Sequence, residues 1–336
     1  MIDYSIAIYC RSVEMSKKIL VTGAGGFLGN ALVLHLSKIP GASIVTPLRK
    51  DNSNLPDSVK KTRITNIDGT TDWAESLAGV DVIVHSAGRV HIMHEDSVQS
   101  LQKFRSVNVE GTLNLARQAI DAGVERFIFI SSIKVNGEST LEGAAFSAED
   151  PPRPVDPYGI SKYEAEQKLL ELSRAGLIDV VIIRPVLIYG AGVAANFQQM
   201  MRWLVKGIPL PFGAVKNFRS LVSLENIIDL ISVCIEHPRA SNQIFLVSDG
   251  EDVSTTQLMR RLLVFLGART WLVPVPAGLL VFLAGLLGRG AVAQRLFGSL
   301  QVDITKNREL LGWRPPNSLD DGLKRTAQHF LEFHKR

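Results

Sequence analysis

Residues 18–30 read KILVTGAGGFLGN, and the order of residue types in that stretch decides the fold. Lys18 to Thr22 is a short aliphatic and β-branched run of the kind that forms a buried strand. Gly23, Gly26 and Gly29 follow at three-residue spacing, and Phe27 to Lys38 then carries apolar residues at helical spacing. A strand, a glycine turn and a helix in this order suit the pyrophosphate of a dinucleotide. The turn needs a residue without a Cβ, the backbone must approach the phosphates closely, and the helix N-terminus offers N–H groups and the positive end of its dipole. Gly23, Gly26, Phe27, Leu28 and Gly29 are therefore candidate cofactor contacts, in a G-x-x-G-x-x-G spacing that differs from the commoner G-x-G-x-x-G.

Outward from this turn, short apolar runs alternate with helical patterns. SIVTPL (43–48), VDVIVHSA (80–87), RFIFISS (126–132) and DVVIIRP (179–185) read as strands; Val98 to Ala122 and Tyr158 to Arg174 read as helices between them. Such alternation predicts an α/β fold, a Rossmann-type doubly wound parallel sheet with helices on both faces. After Pro185, Pro and Gly cluster around GIPLPFG (207–213) and helical patterns dominate. The expected organisation is a dinucleotide-binding domain over 15–185 and a smaller, mainly substrate-binding C-terminal domain over 186–336, with some segments returning to the first. Residues 1–14 (MIDYSIAIYCRSVE) read as an unpacked extension, Met15 being the more natural start.

Bulk composition narrows the function class. A chain of 336 residues with 46% apolar and 21% charged residues can bury one large core or two smaller ones. Its net charge of +4 arises from 37 Lys and Arg against 33 Asp and Glu, without a basic block, so no nucleic-acid partner is expected. Two distant cysteines, Cys10 and Cys234, exclude a disulfide framework and fit a reducing compartment; with no secretory signal pattern, the expected location is cytoplasmic. LVPVPAGLLVFLAGLLG (272–288) is too short and too interrupted by Pro and Gly for a membrane span and reads as a buried helix, with interfacial membrane contact as the alternative. His85, His91, His94 and Glu95 have a ligand-like spacing but fall on a strand end and the loop after it, so no metal is expected.

Two further features carry chemistry. Where an NAD-binding chain usually places an acid for the ribose hydroxyls, this one has Leu48-Arg49-Lys50, and Arg49 can pair with a 2′-phosphate; NADP(H) is favoured, with NAD(H) as the alternative. Asp68 is a candidate partner for the adenine amine, or simply a turn residue. Tyr158 and Lys162 stand four apart at a helix start, on one face, where an ammonium can draw a phenol's pKa from near 10 toward neutrality. A phenol so tuned exchanges a proton with a hydroxyl or ketone. Ser131 and Ser132 end a central strand, at the sheet edge where open α/β folds bind ligands.

Together TGAGGFLG, HSAG (85–88), NVEGTLNL (108–115), SSIKVNG (131–137), YGISK, RPVLIYG (184–190) and DITKNRELLGWRPPNSLDDGL (303–323) resemble the extended short-chain dehydrogenase/reductase family, from about Lys17 to Leu323. The resemblance implies Ser132, Tyr158 and Lys162 as the catalytic set, with His85 and Ala87 lining the cofactor. It also implies a nucleotide-sugar (UDP-hexose) substrate held by Asn196, Arg219 and, more weakly, Arg295, and a homodimer. Members that dehydrate carry Asp-Glu after the catalytic Thr; Ile133 and Lys134 stand there, which points away from dehydration. With Arg49, this favours NADPH-dependent reduction of a UDP-4-keto-6-deoxy-N-acetylhexosamine for surface polysaccharide (O-antigen) precursors. The alternative is a UDP-hexose 4-epimerase with bound NAD. A non-catalytic NADP-sensing regulator is the third reading, and such proteins typically lose the Tyr or the Lys retained here.

Overall fold

A computed structural model describes residues 15–50, 55–90, 97–141, 143–286 and 297–334. The N-terminal extension, His91, His94, Glu95 and Arg295 lie outside the described residues.

The main layer is a seven-stranded parallel sheet: β1 (Lys18–Thr22), β2 (Ser43–Leu48), β3 (Lys60–Arg63), β4 (Val82–His85), β5 (Arg126–Ile130), β6 (Asp179–Pro185) and β9 (Gln243–Val247), in the order β3-β2-β1-β4-β5-β6-β9. The reversal of winding between β1 and β4 leaves a crevice at the carboxyl ends of the strands. Central strands are apolar on both faces because helices cover both; β5, RFIFI, is buried along its whole length. One face packs α1 (Phe27–Leu36) and α7 (Leu224–Glu236) through Val21, Ile128, Ile183 and Phe245. The other packs α4 (Thr112–Asp121) and α5 (Pro157–Arg174) through Leu20, Ile83, Phe127 and Ile182.

Strand β3 escapes the sequence reading because KKTR has only one buried residue, Thr62; lysines on an edge strand discourage further pairing. The helix expected over 98–122 is α3 (Ser97–Arg105), a π-helical turn (Ser106–Gly111) and α4 in succession. Nor do helices alone fill the region after Pro185. β7 (Leu187–Tyr189), β8 (Arg219–Ser223) and β10 (Asp252–Val253) make a second, three-stranded sheet, and β9 joins the main one. Around the small sheet a third apolar cluster joins α6 (Ala195–Val205), α8 (Thr255–Leu266) and the C-terminal helix Leu319–His334.

The apolar segment after Leu272 departs from its expected burial. Leu272 to Pro276 runs extended beside Leu210 to Ala214, and α9 (Ala277–Leu286) follows with Leu279, Phe282 and Leu286 exposed. Pro274 and Pro276 hold the first part out of a helix, and α9, apolar on every side, has more apolar surface than the described neighbours cover.

Candidate active site

The glycine turn is built by exclusion. Gly23 has φ +79°, a region that favours glycine, and a Cβ there would stand 2.8 Å from the Ala87 amide nitrogen. At Gly29 a Cβ would lie 2.3 Å from the Gly23 carbonyl oxygen, so helix and turn pack backbone to backbone. Gly26 donates its N–H to Gly23 O at 2.8 Å and is the N-cap of α1, with no side chain capping the helix. Phe27 and Leu28 form the first turn behind it. These residues fit a dinucleotide: the cradle admits no side chain, and the helix start points its dipole where a diphosphate would sit.

From β4 the chain passes Ser86, which donates to Thr22 O at 2.6 Å, then Ala87, whose N–H donates to Thr22 Oγ1 at 3.2 Å, then Gly88. A Cβ on Gly88 would lie 3.4 Å from Lys162 Nζ, which brings the cofactor loop against the chemistry. His85 belongs to the core instead. It is fully buried, with Nδ1 2.8 Å from Thr22 Oγ1 and Nε2 3.0 Å from Thr112 Oγ1, stacked on Phe129 and tilted against Phe127. Burial drives its pKa down to about 3, so the ring is neutral and held within the core.

Tyr158 opens α5, whose N-cap Asp156 accepts from Gly159 N–H at 2.7 Å. The phenol faces the Ser132 hydroxyl, which favours its charged form, and meets Phe104 edge-on at 6.0 Å between ring centroids. Lys162, one turn on, is buried; its Nζ donates to Ile130 O at 2.8 Å and lies 4.4 Å over the Phe129 ring. The expected lowering of the phenol is not what this arrangement gives. Burial, with the Asp156 charge adding to it, pushes Tyr158 up to about 12, while burial takes Lys162 down to about 8 against the pull of Glu166. The ammonium points at a carbonyl, and desolvation of both groups outweighs their attraction.

Beneath them lies a polar framework. Glu166 takes Arg184 in a two-pronged bond, Nε to Oε1 at 3.0 Å and Nη2 to Oε2 at 2.6 Å, and Arg184 Nη1 donates to Asn136 Oδ1 at 2.9 Å, all of it buried. Asn136, where relatives of the resemblance often carry Tyr, is thus a structural residue that also donates to Ser147 O. Lys134 is drawn to Asp156 and Glu138, and Ile133 is buried, so neither offers acid or base chemistry beside Ser132. Asn108, unremarked in the sequence reading, sits in the π-helical turn: Oδ1 accepts from Arg89 N–H at 2.8 Å and Nδ2 donates to Ser161 Oγ at 3.0 Å. The NVEGT motif was its only signal, because a π turn has no periodicity of its own.

The remaining candidates are dispersed. Arg49 is exposed just past the end of β2. Asp68 is half-buried, and its Oδ1 accepts the Thr70 N–H and hydroxyl, which holds its carboxyl below the usual range; this is turn chemistry. Asn196 is exposed in the first turn of α6, behind Ala195, which has φ +54°, a strained conformation for a residue with a Cβ. Arg219 starts β8 half-buried and donates to Gly298 O at 3.3 Å.

A glycine cradle at a winding reversal, with tyrosine, lysine and serine at the same sheet edge, defines a nicotinamide-dinucleotide-dependent enzyme. The chain belongs to the NAD dependent epimerase/dehydratase family, whose pattern matches residues 19–248. It is 48% identical over 328 residues to a UDP-glucose 4-epimerase of Vibrio cholerae, covering 96% of this chain and 98% of that one. An N-acetyl-alpha-D-glucosaminyl-diphospho-ditrans,octacis-undecaprenol 4-epimerase of Escherichia coli O157:H7 is 26% identical, covering 94% and 96% of the two chains. Among solved structures, a UDP-glucuronic acid 4-epimerase from Bacillus cereus in complex with NAD superposes with a TM-score of 0.77 at 21% identity, covering 94% of this chain and 99% of that one. A UDP-glucose 4-epimerase from Thermotoga maritima with UDP-glucose gives 0.74 at 24% identity, covering 94% and 99%.

Proposed function

We propose that the chain is a 4-epimerase of UDP-hexoses working with a retained NAD, with Tyr158 as its acid and base. The meeting of Tyr158, Ser132 and Lys162 at the edge of β5, opposite the glycine cradle, carries this reading; the 48% identity to a UDP-glucose 4-epimerase favours epimerisation over the 4-keto reduction expected from Arg49. When bound, the dinucleotide supplies a hydride acceptor and donor. Tyr158 takes the proton of the sugar 4-hydroxyl as that carbon is oxidised and returns it when the ketone is reduced from the other face. Ser132 Oγ steadies the same oxygen through a hydrogen bond, and Lys162 favours the phenol's charged form, to which the positive charge of an oxidised nicotinamide would add. Asn196 and Arg219 hold the diphosphate end, and Gly23, Gly26 and Gly29 hold the cofactor.

Arg49 favours a second reading, NADPH-dependent reduction of a UDP-4-keto-6-deoxy-N-acetylhexosamine, because no carboxylate occupies that strand end. The deciding experiment incubates the purified protein with UDP-galactose and no added cofactor, and separately with NADPH and the 4-keto sugar. Formation of UDP-glucose in the first is expected. NADPH consumption in the second, with no turnover in the first, reverses the assignment. Tyr158→Phe should lower turnover by roughly 10²- to 10⁴-fold without loss of fold, measured by a coupled assay and circular dichroism.

A further inference from the structure

Two stretches of the C-terminal region, 195–218 and 254–286, contain six Lys and Arg and no Asp or Glu, while the rest of the chain has 31 Lys and Arg against 33 Asp and Glu. The same stretches hold nine of the fifteen large apolar side chains exposed among the described residues. The fold brings them together. Leu210 N–H donates to Trp271 O, Val273 N–H to Leu210 O, Gly213 N–H to Val273 O, and Thr270 Oγ1 to Leu204 O, so the end of α6 and the chain after it run beside 270–276. Around this seam Trp203, Ile208 and Trp271 are exposed, the last at 66%; α9 leaves from its end with Phe282 and Leu286 at 62% and 70%. Lys206 and Arg269 are exposed beside these apolar side chains.

We propose that this face docks on an anionic lipid bilayer, lying on it rather than crossing it. Arg261 is taken up by Glu251 and Asp320 from outside the two stretches, and Lys206 and Arg269 stand among the exposed apolar side chains. Tryptophan, phenylalanine and leucine with cationic neighbours are what an interfacial surface requires: the rings enter the headgroup boundary and the cations meet lipid phosphates. Charge complementarity selects an anionic surface over a second copy of the chain, since an isologous contact would set the same cations against one another. Among the described residues no helix is long and apolar enough to cross a membrane. The inference is independent of which sugar is turned over.

The test is co-sedimentation of the full chain with phosphatidylcholine vesicles, with and without phosphatidylglycerol, alongside tryptophan fluorescence with brominated lipid. Trp73 and Trp313 are buried, so quenching reports on Trp203 and Trp271. Binding to the anionic vesicles at least about tenfold tighter than to neutral ones, and weakening in salt, is expected. Phe282→Asp with Leu286→Asp should remove binding and quenching while leaving epimerase turnover unchanged. Lys206→Glu with Arg269→Glu should erase the preference for anionic lipid. Failure of the wild type to bind either vesicle, or unchanged binding in both double variants, overturns the proposal. So does a dimer in sedimentation velocity that the Phe282 and Leu286 changes dissolve without any effect on vesicles, since the occupant is then a second copy.

Discussion

Lys162 is the side chain whose surroundings most change its ordinary behaviour. Burial without a directly paired carboxylate disfavours its charged form, so between about pH 8 and the normal lysine value of 10.5 the unfolded chain binds the proton that the folded chain releases. Stability of the cofactor-free protein should therefore gain from this group as pH rises through that window. Above pH 10 Tyr158, pushed up to about 12, acts in the opposite sense, because its folded form keeps a proton that the unfolded form loses. The difference in urea midpoint between wild type and Lys162→Met should change steadily from pH 8 to 10; a constant difference refutes the shift. At this scale Tyr158, Lys162 and Ser132 were legible because their chemistry needs those residue types at a helix start and a strand end. The surroundings of the His85 ring were not legible, since a sequence position on a strand does not say which way a ring is turned or whether Thr22 and Thr112 occupy both its nitrogens.

Among elements, the join between β1 and α1 and the tie between α5 and β6 set the site. Gly29→Ala forces a methyl against the Gly23 carbonyl and should destabilise by about 1–3 kcal/mol, with NAD released; thermal unfolding and the absorbance of extracted cofactor read the two effects. Glu166→Ala leaves the Arg184 guanidinium buried without its carboxylate, an expected loss of about 3–5 kcal/mol that Arg184→Met in the same chain should partly restore. Failure of that second change to restore any stability counts against the pair. The turn was legible in its glycines and the main strands in their aliphatic runs. β3 was not, because a charged edge strand resembles a loop, and the π-helical turn was not, because Asn108 and Gly111 fit an ordinary helical pattern as well. The exposure of α9 was equally hidden, since apolarity on all sides names no buried face.

Across the whole molecule, acid-free cationic stretches and most of the exposed large apolar side chains fall in the C-terminal region, while the crevice at the winding reversal belongs to the parallel sheet. The expected division at Pro185 rests on a change of composition and allows some later segments to return to the first domain, but does not say which; the sheet takes its last strand from residues 243–247. Long-range pairing of this sort leaves no local trace in the residues between. A chain ending near residue 200 should thus be insoluble when expressed, and light scattering on its refolding, compared with a chain extended past α8, checks this. Stability in such a fragment is not regained by lowering temperature if the exposed strand edge is the cause.

The position of β9 also bears on how the protein is made. The outer edge of β6, apolar on both faces, waits for a partner that the ribosome delivers roughly 60 residues later, several seconds at ordinary elongation rates. Until then the nascent chain carries an open edge of VVII, and a holdase that shields such edges, or a slow stretch of codons placed after rather than before β9, would decide how much of the newly made enzyme survives to fold.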